Sequence, residues 1–214
     1  MSGAAHLRVI DLTLIAIAAI VWIPALVVCS IAVLVGSGRP ILFRQDRAGL
    51  LGENFELLKF RSMNVGENPL VPDAAAITSV GRFLRRWSLD ELPQLLNVIQ
   101  GHMSLVGPRP MLPEQADHLD VRQRDRHLVR PGLSGVAQVA GRNTISWHER
   151  IEYDLAWAAM PTVRRYVGVL AHTARAVIDP AGTTGHDLRD PLVDLTPTIE
   201  LLRSADVARM NEEA

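Results

Sequence analysis

The chain has 214 residues, 22 basic against 23 acidic side chains, a formal net charge of −1 and one cysteine. That length suits one domain, or a small domain with an attachment, and is enough to bury a core. The balanced charge excludes a dedicated polyanion binder, so no nucleic-acid partner is expected. A single cysteine excludes an intramolecular disulfide framework and a multi-cysteine metal site.

The slightly positive mean hydropathy, +0.14, is local. Leu12 to Val35 is a run of 24 residues without a charge. As a straight helix it reaches roughly 36 Å, enough for a hydrocarbon core of about 30 Å. A cleaved signal peptide does not fit, because the basic residues before the run are only His6 and Arg8 and the apolar run exceeds the usual ~7–15 residues. Pro24 halves the run and removes the hydrogen bond to the Ile20 carbonyl. Two readings stay open on these residues: a kinked span, or a re-entrant helix–break–helix whose arms of about 18 Å each are too short to cross alone. Arg39, Arg44, Arg47, Lys59 and Arg61 follow the run, which by the positive-inside bias puts the bulk of the chain in the cytoplasm.

Gly36 to Pro40 ends the apolar segment. Ile41–Phe43 and Phe55–Phe60 are predicted as short strands, and helices are predicted at about Ile77–Arg86, Leu89–Gln100, Pro113–Leu128, Trp147–Met160 and Thr162–Ile178. Ser146 with Glu149 has the capping-box form. Two glycine–proline turns, Val106–Pro110 and Arg130–Gly135, lie between helices. Residues 179–214 carry eight acids against three arginines and read as a peripheral acidic tail. The expected class is α+β and mostly helical. Residues 1–38 form the membrane segment, 39–178 a compact catalytic domain with a few short strands, and 179–214 the tail.

Chemistry concentrates in Arg85-Arg86-Trp87-Ser88-Leu89-Asp90-Glu91-Leu92-Pro93-Gln94. Ser88 and Glu91 have the capping-box spacing, so both carboxylates are expected in a first helical turn, where exposed N–H groups depress carboxylate pKa values. Helix capping alone accounts for such acids. The functional alternative is an ionised Asp90 nucleophile beside a Glu91 available to a divalent cation, with Arg85 and Arg86 as phosphate clamps. Pro108-Arg109-Pro110 presents one guanidinium on a rigid turn. Gln138 to Asn143 is a glycine turn carrying Arg142. Lys59 is the only lysine among 22 basic residues, which favours a use for its compact ammonium. No phosphate-binding P-loop, dinucleotide-binding glycine fingerprint or zincin motif is present.

In order along the chain, Ile41–Gln45, Lys59-Phe60-Arg61-Ser62-Met63, Ser88–Gln94, Val106–Pro110, Arg130–Gly135, Gly141-Arg142-Asn143 and Glu149–Asp154 resemble the bacterial sugar transferases, monotopic phosphoglycosyl transferases acting on polyprenol phosphate. The resemblance runs from the apolar segment to about Asp154 and is closest to small members with only a membrane hairpin and a catalytic domain. It implies the re-entrant hairpin broken at Pro24. It also implies a two-step transfer of sugar-1-phosphate from a UDP-sugar to undecaprenyl phosphate, with Asp90 as nucleophile and UMP leaving. Glu91 is then the acid expected to hold Mg²⁺. Arg85 and Arg109 match phosphate-binding arginines, and Lys59, Arg61, Pro108 and Arg142 further substrate-binding positions. The implied setting is the bacterial inner membrane with the catalytic domain cytoplasmic. The implied partners are UDP-sugar, undecaprenyl phosphate, membrane lipid and, as a candidate, a second copy of the chain. Departures from the family pattern are Ile23 where Ser commonly precedes the proline, Val136 for Trp and Ala140 for Asn. The alternative function is a catalytically silent membrane scaffold of a polysaccharide pathway.

Overall fold

The computed structural model describes residues 2–64, 76–141 and 145–178, so the expectations for Arg142 and for the acidic tail lie outside the described residues. Helix α1 runs from Ser2 to Ser37 with Pro24 inside it. The break expected at Pro24 is therefore absent as a loss of helix. Proline's fixed φ suits a helix and removes one hydrogen bond, and Pro24 lies on the exposed side, where a helix bends outward at least cost. The helix is long and apolar enough to cross a membrane.

Its two faces differ in partners rather than in polarity. Leu7, Asp11, Ile15, Cys29 and Val33 are buried against the rest of the chain, whereas Ile17, Ile20, Val21 and Val35 are 70–83% exposed. The inward residues recur at helical spacing and enter three of the four hydrophobic clusters found among the described residues. Leu7 packs with Val106, Trp157 and Tyr166; Ile15 with Phe55, Val98 and Met103; Cys29 and Val33 with Phe60 and Leu84. Removing α1 would thus uncover core, at about 25 cal/mol per Å² of apolar surface exposed. Both ends of the helix rest on the same domain.

Strands β1 (Leu42–Ala48) and β2 (Asn54–Phe60) form an antiparallel hairpin that sets Phe43 opposite Lys59. β1 outruns its expected end at Phe43 because its polar residues alternate: Arg44 and Asp46 face solvent while Gln45 and Arg47 are half-buried. Helix α2 (Ser79–Arg86) starts at Thr78, whose hydroxyl accepts from the Gly81 N–H. The helix expected over Leu89–Gln100 is divided into a 3₁₀ turn, Leu89–Glu91, and helix α3, Gln94–Gln100. Pro93 lacks the N–H that would continue the ladder.

Strand β3 (Ser104–Val106) pairs in parallel with β4 (Gly132–Ser134). Both fall within or beside the glycine–proline turns read from the sequence. A Cβ on Gly132 would lie 2.0 Å from the Gly107 nitrogen, so only glycine allows these strands to approach. The segment expected as one helix over Pro113–Leu128 is α4 (Pro113–Asp117) and a 3₁₀ stretch (Gln123–Leu128). Helix α5 (Val136–Ala140) was not expected. Helices α6 (Trp147–Ala159) and α7 (Val163–Ile178) follow the sequence reading, and α6 opens with the expected box. The Glu149 N–H donates to Ser146 Oγ at 3.2 Å, and the Ser146 N–H donates to Glu149 Oε2 at 2.8 Å.

Candidate active site

Lys59 reaches its place because β2 is pinned to α3. The buried Asn97 amide donates to the Glu56 carbonyl at 2.8 Å and accepts from the Leu58 N–H at 3.0 Å, satisfying the free edge of the hairpin. The other side of the site comes from the turn after α2. Ser88 adopts a left-handed conformation, φ 55°, and its side chain caps nothing, which corrects the capping box expected there. The reversal at Ser88 instead swings the 3₁₀ turn back over β2, and Asp90 and Glu91 face Lys59.

Glu91 Oε1 accepts from Lys59 Nζ at 2.7 Å and from the Arg109 guanidinium at 3.2 Å. Burial alone would raise this carboxyl, but Arg109 and Lys59 together outweigh it and hold Glu91 below the usual range. Asp90 goes the other way. Burial pushes its carboxyl up, the neighbouring Glu91 charge adds to that, and Lys59 and Arg85 only partly oppose it. The depressed value expected for Asp90 from a helix N-terminus is thus corrected, because the residue is desolvated beside a like charge and its turn is too short to supply a strong dipole. Apart from its own backbone N–H, the Asp90 carboxylate has no hydrogen-bond partner among the described residues.

Arg109 is exposed between buried Pro108 and Pro110. Its carbonyl accepts from Arg126 at 2.9 Å, and Arg126 forms a buried ion pair with Asp154, at 2.5 Å, with side chains 3% and 2% exposed. Arg47 donates to the Pro110 carbonyl at 3.3 Å and to Gln45 Oε1 at 2.6 Å. Burial and the nearby Arg109 charge lower the Arg47 guanidinium. Arg85 is tied by its Nε to Ser62 Oγ at 2.8 Å. Lys59, Arg85, Asp90, Glu91, Arg109 and Arg47 all line one cleft of about 1060 Å³, ample for a nucleotide-sized ligand.

Two expected site residues are placed differently. Arg61 touches the cleft, but its guanidinium donates to the Arg39, Gly38 and Ser37 carbonyls at the end of α1. Pro108 accepts from the Gly132 N–H and shapes the loop behind Arg109. Sequence reasoning missed Arg47, whose alternation with Gln45 on one strand face was the available signal, and Arg126, whose position two elements away gave none. The donor set near Asp90 and Glu91 is two carboxylates. No group of three or more His, Cys, Asp or Glu suited to a metal occurs among the described residues. That fits Mg²⁺, which commonly takes one or two carboxylates and completes its shell with phosphate and water, and does not fit a closed all-protein metal site.

The family model for bacterial sugar transferases matches residues 3–180. The chain is 42% identical over 148 residues to EpsL of Bacillus subtilis, an uncharacterized sugar transferase, covering 68% of this chain and 73% of that protein. It is 44% identical over 144 residues to the UDP-glucose:undecaprenyl-phosphate glucose-1-phosphate transferase of Caulobacter vibrioides, covering 63% of this chain and 53% of the relative. It is 41% identical over 172 residues to the Escherichia coli protein of the same name, covering 73% of this chain and 37% of the relative. The chain therefore spans about half or less of the two relatives whose reaction is named. With the match running from the anchor helix through the cleft, this chain belongs to the bacterial sugar transferase family.

Proposed function

We propose that the chain transfers a sugar-1-phosphate from a UDP-sugar to undecaprenyl phosphate at the cytoplasmic face of the bacterial inner membrane, through a covalent intermediate on Asp90. The observation that carries this reading is the division of labour between adjacent acids. Glu91 is held ionised by Lys59 and Arg109, while in the same cleft the Asp90 carboxylate has no side-chain hydrogen bond among the described residues. In the first step an Asp90 oxygen attacks the β-phosphorus. The bond from that phosphorus to the oxygen bridging to the α-phosphate breaks, and its electron pair leaves with UMP. In the second step a phosphate oxygen of undecaprenyl phosphate attacks the sugar-bearing phosphorus and the bond to Asp90 breaks, restoring the carboxylate. Arg109, Arg85 and Lys59 neutralise phosphate charge, the main requirement of phosphoryl transfer. Mg²⁺, held by Glu91 with Asp90 adjacent, would withdraw charge from the phosphate oxygens. Arg109 and Lys59 then serve both acid and substrate.

Monotopic attachment is part of the proposal. A true span would carry Leu7 and Asp11 to the opposite side of the bilayer from Cys29 and Val33, yet both groups bury against one domain. The exposed apolar side of α1 is then the lipid-facing surface, and a re-entrant path requires α1 to bend near Pro24.

Intact-mass spectrometry after incubation with Mg²⁺ and a panel of UDP-sugars tests the chemistry. A sugar-phosphate adduct and UMP release are expected with wild type and neither with Asp90→Asn, while Glu91→Gln should need far more Mg²⁺. Absence of adduct and UMP across the panel, or wild-type turnover in Asp90→Asn, refutes it.

A further inference from the structure

Asp11 stands just before the uncharged stretch of α1 and is 1% exposed. Its carboxylate accepts from Ser104 Oγ at 2.8 Å and the Leu105 N–H at 2.9 Å, both on β3, and from the Tyr166 hydroxyl at 2.5 Å, on α7. A buried carboxylate is tolerated where it is so bonded. Burial and the facing Asp11 carboxylate push the Tyr166 hydroxyl far up, so it remains a donor.

The elements joined at Asp11 are walls of the cleft. Leu105 lines it, and β3 runs directly into the loop that carries Arg109. Leu170 and Thr173, about one and two turns beyond Tyr166 on α7, line it as well. One turn earlier on α1, Arg8 donates to the Val98 and Ile99 carbonyls at 2.5 and 2.9 Å, at the end of α3. The far end of α1 is fastened separately, by Ser37 Oγ on Thr78 Oγ1 at 3.1 Å and by Arg61 on the last carbonyls. Asp11 is thus the hub of an independent fastening of the first arm. None of its three partners is Asp90, Glu91, Lys59 or Arg109.

We propose that Asp11 is a positioning residue that registers the membrane-facing helix against the cleft and thereby sets the depth at which a bilayer-embedded phosphate acceptor meets Asp90. It serves the lipid acceptor and leaves the soluble nucleotide-sugar donor unaffected. The kinetic part of this inference rests on the transferase reading above; the structural part does not.

Asp11→Asn and the milder Tyr166→Phe test it in phosphatidylethanolamine–phosphatidylglycerol vesicles carrying undecaprenyl phosphate. The acceptor KM is expected to rise about tenfold in Asp11→Asn, the equivalent of one charge-assisted hydrogen bond, with the donor KM within about twofold of wild type. Tyr166→Phe should shift in the same direction by less, and it carries the test if Asp11→Asn fails to fold. Hydrogen exchange, read without turnover, should quicken over Ser104–Val106 and stay at wild-type rates over Ser88–Glu91 and at Arg109. Donor and acceptor KM values rising together, or unchanged exchange over Ser104–Val106 in a folded variant, overturns the proposal. A wild type that transfers nothing would sink the transferase reading alone, because the exchange comparison still decides the registration.

Discussion

Replacing Arg126 with methionine isolates the support behind Arg109. In the native protein Arg126 bonds Asp154 Oδ2 from Nε at 3.1 Å and from its terminal nitrogen at 2.5 Å, and that nitrogen also reaches the Arg109 carbonyl. Methionine fills much of the volume and leaves the buried Asp154 carboxylate with Arg150 as its nearby positive charge and without its bonded guanidinium. Losing one partner of such a pair costs about 3–5 kcal/mol. A ceiling follows from chemistry, because the stranded carboxyl can take a proton. At pH 7 that protonation costs about 4 kcal/mol from an ordinary value near 3.9, and about 1.4 kcal/mol less for each pH unit below that. Burial already pushes Asp154 up with Arg126 present, and losing that charge pushes it further the same way. A folded-state value raised above the unfolded one favours the fold at low pH and penalises it as pH rises. The difference between variant and wild type should therefore be at most about 4 kcal/mol at pH 7, roughly 10–15 °C in melting temperature, and smaller at pH 5.5. Circular-dichroism melts in detergent at both pH values measure it. Adding Asp154→Asn to Arg126→Met should restore most of the melting temperature but little of the turnover, since the Arg109 carbonyl still lacks its donor. A loss below about 1 kcal/mol, or one that does not shrink at low pH, would refute the buried-charge reasoning.

Two further outcomes follow from the site and its supports. Asp90 must be unprotonated to attack, so UMP release should fall as pH drops through its raised value. Lys59→Met removes a charge that lowers both carboxyls and should move this acid limb upward, and a limb that stays put would refute the assignment. Gly81→Ala pits helix propensity, worth about 1 kcal/mol in favour of alanine, against a Cβ placed 2.0 Å from the Ser62 carbonyl oxygen. The obstacle is backbone, so the variant should lose about 2 kcal/mol in urea melts and raise the donor KM through the Ser62–Arg85 bond; a stabilised variant would contradict the packing.

What was legible in the sequence had local causes. The apolar run and the Ser146 cap are each set by neighbours within a turn or two, and each sits where the pattern put it, whereas the Asp90–Glu91 pair lies in a 3₁₀ turn without the Ser88 cap its spacing suggests. The helices at 89–100 and 113–128 were overextended because apolar spacing continues through Pro93 and through the bends around Leu119, while the backbone does not. β3 and β4 escaped notice because three residues show no period, and their pairing depends on a glycine contact between segments 25 residues apart. Asp11 illustrates the limit most clearly. In sequence it is only the last charge before an uncharged stretch, and it looks like a flank of a membrane segment. Its meaning comes from Ser104 and Tyr166, 93 and 155 residues away. A charge at the edge of an apolar helix reads as solvent-facing by default, because an unpaired buried carboxylate is costly. Here three donors remove that cost, so Asp11 fastens α1 to β3 and α7, which line the cleft.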